Sequence, residues 1–210
     1  MSSLKSTVCN ALLVLVVVIV GLSPMAADAQ TPSAAKPKPE YPPLATVTKD
    51  YKLEQSTVVG QRGYYTIWTR EKDGQMLAAL PSSYGKPFFI AMTIASGEDY
   101  AGLQGNDMYV YWKRYDKRLA LIAPNIRIKS TGDAESKSSV GRLFTDRVIL
   151  DVPIVTMSGG SPVIDMDALL IGQANKFFGS CVKISNPRLI SIKKKKAFPK
   201  NVELAFEVPT

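Results

Sequence analysis

The chain has 210 residues, 46% of them apolar and 21% charged, with a net charge of +8 and no histidine. That length and mix suit one domain with a sizeable core. The missing histidine excludes Ser–His and Cys–His nucleophile pairs and histidine-ligated zinc, while the positive charge favours anionic surfaces without naming one.

The amino terminus has the pattern of a secretory signal peptide over residues 1–29. Lys5 gives the positive start, Ala11 to Leu22 the apolar core, and Ala27-Asp28-Ala29 a small-x-small cleavage site. The apolar run falls short of the roughly 20 residues that cross a bilayer, so no membrane span is expected after cleavage. The expected location is periplasmic or extracellular. Cys9 would leave with the signal, and Cys181 would remain alone, without a disulfide partner. A small buried apolar side chain is the expected role of Cys181.

Residues 30–62 read as a proline-rich tether and lead-in. Thr31 to Pro43 (TPSAAKPKPEYPP) is expected to be extended. Ala45 to Val59 suits either a helix or a strand. Residues 63–210 read as one α+β domain, mostly antiparallel sheet with a few short helices. Tyr64 to Arg70 and Gln75 to Leu80 predict a hairpin turning at Gly74. Phe88 to Ala95 (FFIAMTIA) predicts a buried strand, followed by a loop through Gly97, Gly102 and Gly105. Met108 to Tyr115 and Arg118 to Ile122 flank Asp116-Lys117 as a second hairpin. Ile126 to Lys129 alternates with period two, as a strand does.

Asp133 is placed to cap a helix over Ala134 to Phe144 with Val140, Leu143 and Phe144 on one face. Arg147 to Met157 predicts a strand, whose second half Pro153 should push to an edge or a bulge. Ser158 to Pro162 breaks the pattern before a short strand, Val163 to Met166. A helix over Asp167 to Phe178 should stop at Gly179. Val182 to Lys196 and Val202 to Val208 are expected to close the chain as strands.

Four motifs are candidates for chemistry. Lys193-Lys194-Lys195-Lys196 suits an anionic ligand, but lysines on an edge strand also block edge pairing, the commoner role. Asp165-Met166-Asp167 places two carboxylates where they could share a cation, though two fall short of a calcium site and Asp167 suits a helix cap. Ser-x-x-Lys, which needs no histidine, occurs at Ser83–Lys86 and Ser180–Lys183 without the companion motifs of its enzyme class. Tyr109 and Tyr111 share a strand face opposite Trp112, suiting a ligand platform or cross-strand packing. No catalytic, cofactor-binding or metal-binding residue is assigned, and no nucleic-acid partner is expected.

Four stretches go together: Gly63-YYTIWTREKDGQMLAALP, FFIAMTIASGEDYAGLQGNDMYVYWKR, ESKSSVGRLFTDRVILDVPI and FPKNVELAFEVP. They resemble the amino-terminal domain of unknown function in large secreted bacterial zinc-dependent metalloproteases. The resemblance implies a downstream domain in which a helical His-Glu-x-x-His binds zinc and the glutamate activates water. None of those positions occurs here. The resemblance thus implies an inactive amino-terminal region, truncated at its carboxyl end, whose partners are the missing catalytic domain and, through it, a peptide substrate. Zinc would belong to the full-length family and not to this chain. The alternative is a standalone periplasmic or cell-surface module that binds an anionic or peptide ligand. A histidine-free hydrolase is the third reading.

Overall fold

A computed structural model describes residues 39–97, 101–105, 107–178 and 183–210. The signal, most of the tether, Ser180 and Cys181 lie outside the described residues. The chain runs α1 (Leu44–Val47), β1 (Tyr51–Leu53), β2 (Thr66–Arg70), β3 (Met76–Ala79), β4 (Phe88–Ile90), β5 (Met108–Tyr115) and β6 (Arg118–Ala123). It continues through α2 (Ala134–Leu143), β7 (Arg147–Ser158), β8 (Ser161–Asp165), α3 (Met166–Leu170) and α4 (Ala174–Phe178). A 3₁₀ turn at Pro187–Leu189 precedes β9 (Ser191–Ala197) and β10 (Val202–Glu207). The α+β, mostly antiparallel class follows directly.

Eight strands form one antiparallel sheet in the order β1-β2-β3-β8-β7-β6-β5-β4, and β9 and β10 form a separate hairpin. The body takes in α1 and β1, ahead of Gly63 where the family-like stretches begin. On one face Ile67, Met76, Ala78, Val110, Trp112, Leu119, Leu121, Leu150, Val152 and Ile164 make the main core. Met166, Leu169, Leu170 and Phe177 of α3 and α4 pack into it, as do Ile192, Val202, Leu204 and Phe206 of the β9–β10 hairpin. On the other face Leu77, Ala79 and Val163 meet Leu44 and Val47 of α1. Strand β3 is therefore covered on both sides, which its unbroken apolar run allows.

The turns follow local chemistry. Gly74, at φ 75°, returns its N–H to Arg70 O and closes the first hairpin. Gly159 and Gly160, both at positive φ, form a two-residue turn between β7 and β8, so the predicted breaker is a tight hairpin.

Five expectations need correction. The Phe88–Ala95 run is not a buried strand: only Phe88–Ile90 is a strand, at the sheet edge, with Phe89 74% exposed. Ile126–Lys129 belongs to no strand and lies exposed. Of the edge or bulge expected at Pro153, by contrast, the bulge is what forms, in a strand that is central in the sheet. Ile154 N donates to Lys117 O on the β6 side, so the nitrogen of Pro153 faces β8, which leaves the sheet at Asp165. No ladder hydrogen bond is missed there, and the expected bulge follows between Ile154 and Thr156. The helix expected over Asp167–Phe178 is two helices. Gly172 N reaches back to Asp167 O, and a Cβ at Gly172 would lie 2.6 Å from Ala168 O. Asp165, not Asp167, is the cap of α3. Finally, of the strand expected over Val182–Lys196 only Ser191–Ala197 forms among the described residues, because Asn186 and Pro187 start a 3₁₀ turn at Pro187–Leu189 first.

Candidate functional site

A shallow cavity of about 550 Å³ lies at the β1 edge of the sheet, lined by Asp50, Tyr51, Lys52, Arg70, Glu71, Lys72 and Asp73. The hairpin turn between β2 and β3 forms one wall and the start of β1 the other. Arg70 Nε and Nη2 grip both oxygens of Asp73 at 2.9 and 2.6 Å, and the guanidinium sits 5.1 Å from the centre of the Tyr51 ring. The Arg70 hydrogen bonds hold the Asp73 carboxyl down at about 2 and push Arg70 further up. Burial raises the Tyr51 hydroxyl. These three groups all move away from neutral pH, opposite to what a general acid or base needs.

A polar relay runs inward from the cavity. Tyr51 Oη donates to Gln75 Oε1 at 2.7 Å, and Gln75 Nε2 donates to Asp165 Oδ2 at 2.8 Å. Asp165 Oδ1 accepts from Asp167 N and Ala168 N. Asp167 Oδ2 accepts from Met76 N at 2.8 Å, and burial nonetheless pushes its carboxyl up. Both carboxylates of the Asp-x-Asp motif are thus committed to the backbone of α3 and β3. They tie the helix to the sheet and do not face an open cation position. Among the described residues no group of three acidic or cysteine side chains is placed to hold a metal. With no histidine in the chain, a histidine-ligated zinc site is excluded.

The lysine run lies on β9, where glutamates answer it. Lys193 Nζ meets Glu207 at 2.9 Å, Lys195 Nζ meets Glu54 at 3.0 Å, and Lys196 is opposite Glu203 in the ladder. Burial works to raise Glu54, but Lys195, with Thr69 and Lys52, together outweigh it and hold the carboxyl low. Ser83 and Lys86 share a tight turn in which Lys86 N donates to Ser83 O at 2.8 Å, and the Lys86 side chain is exposed. A lysine base needs desolvation, which this position does not supply. Lys183 is described, but its companion Ser180 is not.

The aromatic strand divides as its period requires. Trp112 faces the core at 4% exposure, and Tyr109 faces out against Phe89 with ring centres 4.9 Å apart. Tyr111 Oη donates to Asp146 Oδ2 at 2.7 Å, and that carboxylate pushes the hydroxyl up to about 12.

Sequence reasoning missed the pins beside Tyr111. Asn125 N donates to Asp146 Oδ1, and Asn125 Nδ2 donates to the carbonyls of Ile128 and Phe144. The Asn125 N–H is the main reason the Asp146 carboxyl lies low, with the Tyr111 hydroxyl second. These contacts close the base of the long excursion between β6 and β7. The Pro124-Asn125 pair was the available turn signal.

No protein-family model, curated protein or solved structure matches the chain.

Proposed function

We propose that this chain is the non-catalytic amino-terminal region of an exported zinc-dependent metalloprotease, inactive alone. The observation that carries the reading is the set of four family-like stretches in the sequence. Their placement is consistent with a scaffold role: they supply β2–β3, β4–β5, α2–β7 and β10, mostly sheet, although the first of them also carries Arg70 to Asp73 of the shallow cavity. Peptide-bond hydrolysis would belong to a domain carrying His-Glu-x-x-His, with zinc held there.

Two measurements test this. The gene is read past codon 210 and through its neighbours. A coding stretch with His-Glu-x-x-His, in frame or adjacent, supports the proposal, and its absence counts against it. The purified chain is also incubated with casein and zinc. No turnover is expected, and zinc-dependent cleavage by this chain alone would sink the reading.

A further inference from the structure

The excursion between β6 and β7 is unlike the rest of the chain. From Ile126 to Val148 all but three residues are exposed, and α2 has no buried residue. A ten-residue helix is marginal without packing, since helices shorter than about 12–15 residues rarely hold alone. Yet the base is pinned through Asn125, Asp146 and Tyr111.

Its surface is apolar and cationic together. Ile126, Ile128, Leu143, Phe144 and Val148 are exposed, Leu143 at 75%. Between them sit Arg127, Lys129, Lys137, Arg142 and Arg147. Asn125 holds the Ile128 and Phe144 carbonyls together, and Val148 pairs with Ile122 next to that base. Two of the three acidic side chains in the excursion are already engaged: Asp133 accepts from Ser136 N and Asp146 from Asn125 N. Among the described residues none of the five cations forms an ion pair, and Arg142 donates only to Ser138 and Ser139. Lys193 and Lys195 of β9 meet glutamates; these five cations form no such pair among the described residues.

We infer that the 124–148 excursion is a docking element for an anionic lipid bilayer. Apolar side chains that alternate with cations let the first enter the acyl boundary while the second meet phosphate headgroups. A purely polar acidic partner would match the charge but leave Leu143 and Phe144 without a hydrophobic phase. The inference stands apart from the protease reading, because it requires neither zinc nor a second domain.

The test places a reporter in the patch. Leu143→Trp in the full chain adds an indole there while Trp68 and Trp112 stay constant as background. A blue shift of its emission is expected on phosphatidylglycerol vesicles and not on phosphatidylcholine vesicles. Because the reporter is local, binding through the Ala11–Leu22 run alone does not produce the shift. Adding Arg127→Gln, Lys129→Gln and Arg142→Gln should weaken the vesicle titration roughly a hundredfold, about fivefold for each cation removed. Circular dichroism should be unchanged by these surface substitutions. An unshifted reporter on anionic vesicles overturns the inference, as does a titration indifferent to the three substitutions. A shift that grows with protein concentration without lipid assigns the patch to a second copy and overturns it too. So does a shift on polyglutamate with none on vesicles.

Discussion

Helices α2 and α3 both start on an aspartate whose side chain accepts backbone N–H groups, Asp133 from Ser136 and Asp165 from Asp167 and Ala168. In α3, five residues bury Met166, Leu169 and Leu170 against the sheet. In α2, ten residues bury none. The same cap therefore starts a helix in two settings, and packing decides which helix contributes to the stability of the domain. A cap satisfies orphan donors, whereas apolar burial supplies most of the free energy.

The largest test of this contrast is Leu169→Ala, which should lose about 2–5 kcal/mol in urea unfolding, because it opens a cavity under α3. A change at α2 should show no comparable loss. Asp165→Ala comes next, at about 2 kcal/mol, since it removes a cap and also strands Gln75 Nε2. Asp133→Ala should leave the global transition in place and reduce amide protection only within residues 134–143. An equal fall in melting temperature for the two caps would break the comparison.

Acidification should separate the helices by sign. Hydrogen bonds from Ser136 hold the Asp133 carboxyl below its ordinary value of 3.8. Its contribution is present above that value and is lost as pH falls through the lowered one, so protection of α2 should fade in acid. Asp167 is raised from 3.8 by burial. Its charged form is disfavoured in the fold, so that cost is relieved as pH falls through the raised value and levels off below 3.8. The stability of the wild type relative to Asp167→Asn should therefore rise on acidification, read by denaturant titration at successive pH values. A difference that stays flat would remove the assignment. The smallest effect is Leu143→Ser, expected within about 0.5 kcal/mol of wild type because the side chain already meets solvent.

Much of the sheet was legible from short-range chemistry. The hairpins at Gly74 and at Asp116-Lys117 were marked by a turn between two alternating runs, and Asp133 was a visible cap. Strand burial was not legible. Phe88–Ile90 and Met76–Ala79 are both apolar, yet one is an exposed edge and the other is covered on both faces. Position in the sheet decides this, and position depends on partners far along the chain, such as β8 beside β3. The same holds for the site. Spacing singled out the Asp-x-Asp pair, but only the fold delivers Gln75 and Met76 N to occupy it. Spacing also singled out the lysine run, and the fold brings Glu54 and Glu207 to it.

By itself the sequence determined the antiparallel class, most turns, the start of α2 and the lack of any histidine for catalysis or zinc. Those properties rest on a residue's own chemistry and its nearest neighbours. Tertiary structure decided which apolar runs are core, which charges are neutralised and which helix stands exposed. Each of these depends on what a distant segment places opposite a residue. Lys193 and Lys195 of β9 are paired because the fold sets Glu207 and Glu54 against them, whereas among the described residues no glutamate or aspartate pairs with the cations of 124–148.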